Sequence, residues 1–84
     1  MKACLITFHS ITTLQRAAGL LKTVHIASMP QRTPRWMEQQ GCGNALKVSC
    51  KDILLAVEVL QKNRIAYKKV YLYREDGSAE EMEL

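Results

Sequence analysis

The chain has 84 residues, 48% of them hydrophobic, 12 basic against eight acidic groups, and three cysteines. That length supports one domain and one core and excludes two. No apolar run approaches a membrane span, the opening "ACLITFHS" lacks the marks of a cleaved leader, and the expected setting is the cytoplasm. An odd number of widely spaced cysteines argues against a disulfide framework, and Cys42 and Cys50 lie too far apart for a zinc knuckle, so neither a metal nor a cofactor is expected.

Residues 3 to 8, "ACLITF", are apolar and β-favouring and end at His9 and Ser10, which predicts a first strand and a helix N-cap. Ile11, Leu14, Ala18 and Leu21, with Ala17, Leu20 and Val24 beside them, recur at helical spacing to about Val24. "HIASMP", residues 25 to 30, reads as a second strand closed by Pro30. Residues 31 to 43, "QRTPRWMEQQGCG", follow neither period and form a long loop. "NALKVS" reads as strand three, Ser49 as a second N-cap, and "CKDILLAVEVLQKN" as helix two with Ile53, Ala56, Val57 and Leu60 on one face. "IAYKKVYLY", residues 65 to 73, is the fourth strand.

An offset of 39 maps Ser10 on Ser49, Leu14 on Ile53, Ala17 on Ala56, Leu21 on Leu60 and Ile26 on Ile65. Two such units in tandem predict an α+β fold, a ferredoxin-like βαββαβ sandwich with a four-stranded antiparallel sheet ordered 4-1-3-2 and two helices on one face. Residues 1 to 74 would be the domain. They hold all 12 basic groups and three acids, a balance of +9, whereas 75 to 84 hold the other five acids and read as an acidic, flexible tail.

This topology starts strand three where strand one ends, so Cys42 belongs at the corner that holds His9, Ser10 and the first turn of helix one. A helix start favours a nearby anion, and Arg32 and Arg35 lie in the loop leading to Cys42. These influences favour thiolate, and a fall of ~1.5 units from a thiol pKa of about 8.5 leaves half of it ionised at neutral pH. Gly41 and Gly43 leave Cys42 without covering neighbours. His9 is the histidine placed to act as a base there. Trp36 and Met37 read as the loop's hydrophobic anchor or a docking patch. Cys4 and Cys50, at the opposite edge, read as structural, too far from Cys42 to resolve it but able to lie near one another.

"FHS" at the end of the first strand, "RAAGLLK" in the helix, Pro34 and Arg35 in the loop, "CGNALKV" and the closing "VYLYR" together resemble the small bacterial selenium/sulfur carrier-like family over residues 3 to 74. The resemblance implies a ferredoxin-like domain in which Cys42 carries sulfur or selenium as a persulfide or its selenium analogue. The partners so implied are a donor such as a cysteine desulfurase and an acceptor protein. Two departures stand out. This chain has Ile11, Thr12 and Thr13 where relatives often have histidines after the serine, which leaves His9 as the available imidazole, and "QQG" replaces a serine-rich run.

The expected role is thus a carrier rather than a catalyst. The alternative is a ferredoxin-like ligand- or protein-binding or regulatory module without thiol chemistry. Its open sheet face would be free to pair with a second copy. RNA recognition is disfavoured because the two central strands offer only Phe8, with Tyr67, Tyr71 and Tyr73 on an edge strand.

Overall fold

The computed structural model describes residues 3–32, 43–74 and 78–82. In chain order these form β1 (Ala3–Phe8), α1 (Ile11–Thr23), β2 (Ser28–Arg32), β3 (Asn44–Ser49), a 3-10 turn (Cys50–Asp52) that runs into α2 (Ile53–Lys62), β4 (Val70–Tyr73) and β5 (Ala79–Met82). The strands build one antiparallel sheet ordered β2-β3-β1-β4-β5. The fold is α+β, as expected, but the sheet has five strands rather than four.

The pleat sorts side chains into two layers. Cys4, Ile6 and Phe8 of β1 join Leu46 and Val48 of β3 and Val70 of β4 beneath Leu14, Ala17 and Leu21 of α1 and Ile53, Ala56 and Leu60 of α2. Both helices therefore cover the same face. Leu5, Ala45 and Tyr71, flanked by Tyr73 and Ala79, form a smaller cluster on the other. With Cys4 to Phe8 all buried, β1 is the middle of the core, consistent with its continuous apolar run.

The two helices end alike. Val24 closes α1 and His25 follows with φ 61°; its N–H donates to Lys22 O (3.1 Å) and that of Ile26 to Leu21 O (2.9 Å). Asn63 closes α2, and Arg64 follows with φ 57°; here Arg64 N donates to Gln61 O (3.1 Å) and Ile65 N to Leu60 O (2.9 Å). Each pattern is a Schellman closure with the hydrophobic pair inside it buried, Leu21 with Ile26 and Leu60 with Ile65. The repeat at offset 39 thus extends to the backbone.

Several boundaries differ from expectation. Because His25 turns left-handed to end α1, β2 begins at Ser28 and runs to Arg32, not over 25 to 30. Pro30 sits inside β2 opposite Leu46, which an edge strand tolerates because one side of it needs no ladder donor. At its other end the chain is ordered into β4 only from Val70. Thr7 N donates to Lys69 O (2.8 Å) and Thr7 O accepts from Lys68 N (2.7 Å), so two residues oppose one in a bulge-like arrangement. The Thr7 hydroxyl, buried, completes it by donating to Lys69 O (3.2 Å) and accepting from Lys69 N (3.0 Å). Tyr67 instead leans toward α2, where Gln61 Nε2 donates to its hydroxyl (3.0 Å).

The acidic segment supplies β5. Arg74 N donates to Ser78 O (2.8 Å) at the turn, Glu80 pairs with Arg74 (2.6 Å) and Glu81 with Lys69 (3.1 Å), and Met82 packs against the core. Opposite charge and one apolar anchor offset the poor strand propensity of glutamate. As a result β4 is an interior strand, which corrects the placing of Tyr71 and Tyr73 on an edge.

Candidate functional site

The end of β1, the start of α1, the end of β2 and the start of β3 meet at one corner. Phe8 pairs with Asn44 and Asn44 pairs with Arg32, so the three strand ends lie side by side. Between them and α1 opens a cleft of about 650 Å³. His9, Ile11 and Leu14 line one wall and Pro30, Arg32 and Asn44 the other. Ile11, expected on the buried stripe of α1, is half exposed here because it sits at the open end of the helix.

Ser10 caps α1 as expected: its Oγ accepts from Thr13 N (3.1 Å), and its carbonyl accepts the first helical bond from Leu14 N (3.1 Å). Ser10 Oγ also meets Thr13 Oγ1 at 2.9 Å. The first turn of α1 carries no acidic side chain. The positive end of the helix and the exposed Arg32 therefore act together on whatever enters the cleft, and among the described residues no acid lines it. Ser49, by contrast, starts the 3-10 turn without a side-chain cap, and α2 begins three residues beyond the expected Cys50.

Of the expected site residues, His9, Ser10 and Arg32 come together at this corner, and half-buried Gly43 leads directly into Asn44. Cys42, Gly41 and Arg35 lie outside the described residues, as do Trp36 and Met37. Arg32 and Asn44, the last residue of β2 and the first of β3, are register partners, so the strand ends on either side of the Cys42 segment lie side by side.

A second groove, about 310 Å³, lies at the opposite end of β2 and β3, where Ala3, Met29, Lys47 and Ser49 contribute to its walls. Among the described residues no group of three or more His, Cys, Asp or Glu is arranged to hold a metal ion. Among them, too, no helix is long and apolar enough to cross a membrane.

The start of β1 brings together Cys4 and Cys50, two cysteines expected to be structural and able to lie near one another. Cys4 lies opposite Val48, two residues before Cys50, and the two sulfurs are 2.7 Å apart. Met82 Sδ is 3.7 Å from Cys4 Sγ. Burial, then the hydrogen bond to Cys50 and the charge Cys50 would carry, push the Cys4 thiol up to about 12. Cys4 is buried and Cys50 half-buried, so Cys50 is the more accessible of the two residues. Forty-six positions separate the two in sequence, and only the strand register could have revealed their contact.

Comparison with known families finds one model, described as "Putative Se/S carrier protein-like", matching residues 3–72. Comparison with curated proteins and with solved structures found no match.

Proposed function

The chain belongs to the Se/S carrier-like family, and from that premise we propose that it carries sulfur or selenium on Cys42, on a ferredoxin-like scaffold acting in the cytoplasm. The observation that supports this most is the electropositive corner at the strand ends that flank the Cys42 segment in sequence, formed by the start of α1 and Arg32, with no acid lining it among the described residues. Such a corner favours a thiolate and, after loading, the more acidic persulfide anion.

Loading is an exchange of sulfane sulfur between thiolates. The Cys42 thiolate attacks the outer sulfur of a donor persulfide, the donor's S–S bond breaks, and the donor leaves as its own thiolate, so no outside oxidant or reductant is consumed. A cysteine desulfurase is a donor of the required chemistry, and the acceptor repeats the step in reverse. Arg32, and Arg35 upstream of Cys42, would balance the anion; His9 would take or return a proton at the corner.

Incubation with a desulfurase, cysteine and pyridoxal phosphate, followed by trapping of persulfides with an alkylating probe and peptide mapping, tests this. Cys42 is expected to carry one extra sulfur, Cys42→Ala to carry none while keeping its circular dichroism, and Arg32→Ala to load roughly threefold more slowly, the loss of one exposed cation. Undiminished loading of folded Cys42→Ala would sink the proposal.

A further inference from the structure

We propose that Cys4 and Cys50 form a redox-active dithiol that closes reversibly to an intramolecular disulfide when a small hydroperoxide reaches Cys50. This is independent of sulfur transport on Cys42 and lies at the other end of β1 from the corner described above. Two observations carry it. The sulfurs are held 2.7 Å apart by two elements anchored to the sheet, Cys4 in β1, which pairs with β3, and Cys50 in the 3-10 turn that continues β3 into α2. A bonded pair stands at about 2.05 Å, so the two sulfurs need to close by less than about 1 Å to bond. The two thiols also differ in access: Cys4 is buried on the helix-covered face of the sheet and against Met82, whereas Cys50 is half-buried.

That asymmetry sets the order of events. The Cys50 sulfur attacks the terminal oxygen of the hydroperoxide; the O–O bond breaks, Cys50 becomes a sulfenic acid, and its thiol proton leaves with the other oxygen as water or an alcohol. Cys4, held as the neutral thiol by its surroundings, then bonds through sulfur to the Cys50 sulfur; the S–O bond breaks and the Cys4 proton leaves with the hydroxyl as water. Two thiols have lost two electrons and the peroxide has gained them. A low-molecular-weight thiol reverses the step by exchange through a mixed disulfide at Cys50. A lone sulfenic acid would go on to sulfinic acid; the adjacent Cys4 intercepts it.

The experiment is treatment of the reduced full-length protein with hydrogen peroxide near stoichiometry, then alkylation in denaturant and peptide mapping. The expected result is a linked peptide containing Cys4 and Cys50, loss of label at both, and full recovery of both labels after dithiothreitol. Cys50→Ser should leave Cys4 alkylatable at the same peroxide dose. Oxidation of Cys50 to sulfinic acid with Cys4 still a free thiol would overturn the proposal, and so would linkage of either cysteine to Cys42 in place of the other. Cys42 is read in the same map, so its own reactivity is scored separately.

Discussion

Cys4 has no exposed surface, and its thiol is raised from an ordinary 9.0 to about 12 by burial first and by Cys50 second. Below pH 9 it is neutral folded or unfolded, and its contribution to stability is fully present. Between pH 9 and about 12 only the unfolded chain ionises, so that contribution is lost as pH rises. Urea unfolding of the reduced protein should therefore lose more stability from pH 9 to 11 than the Cys4→Ala variant does, by on the order of 1 to 3 kcal/mol. Equal slopes would show that this thiol ionises freely in the folded state. Thr7 makes a related point: a buried hydroxyl is tolerated because it bonds both the N–H and the carbonyl of Lys69. The sequence marks Thr7 and Cys4 as strand residues, but their partners lie 62 and 46 positions away, beyond any local pattern.

At the scale of elements, α1 and α2 share more than an apolar stripe. Both end in a left-handed residue that is not glycine, His25 and Arg64, and both then bury an isoleucine. Left-handed backbone costs an L-residue about 1–2 kcal/mol, while glycine gives back about 0.5–1 through its freer unfolded chain. His25→Gly and Arg64→Gly are each expected to stabilise the fold by about 0.5–1 kcal/mol in urea titrations, with the His25 change the cleaner since Arg64 also adds charge near a helix C-terminus. Destabilisation by both would contradict these closures. Glycine is the usual written signal for such an ending. Its absence made His25 read as the start of a strand and set β2 three residues early, while β1 and β3, bounded by alternation and caps, fell where expected.

For the whole molecule, the acidic segment changes what the sheet is. β5 converts β4 into an interior strand, pairs Glu80 and Glu81 with Arg74 and Lys69, and lays Met82 against Cys4. The exposed ion pairs add little and fix the register, while the partly buried methionine contributes about 1 kcal/mol. Deleting residues 79–84 should cost about 1–3 kcal/mol and raise the rate at which iodoacetamide alkylates Cys4 in the native protein. Unchanged stability together with unchanged protection of Cys4 would mean that β5 does not belong to the folded unit. The same segment holds acids that counter part of the +9 balance of residues 1 to 74, and through β5 it does so at fixed cations.

What the sequence by itself determined are the features that repeat within one turn or one pleat. These are the apolar faces of α1 and α2, the buried runs of β1 and β3, the Ser10 cap, and through the tandem repeat the order of the first four strands. From that order came the placing of the start of β3 beside His9 and Ser10, whereas Arg32, expected in the loop, reaches the corner because β2 extends to it. Only the tertiary structure decided that Glu80 and Glu81 lie in a strand, that β4 waits until Val70, and that Cys4 touches Cys50. The physical reason is common to all three. Each depends on cross-strand register, on ion pairs or on burial between residues far apart in the chain, and such energies leave no period in the sequence for a local reading to find.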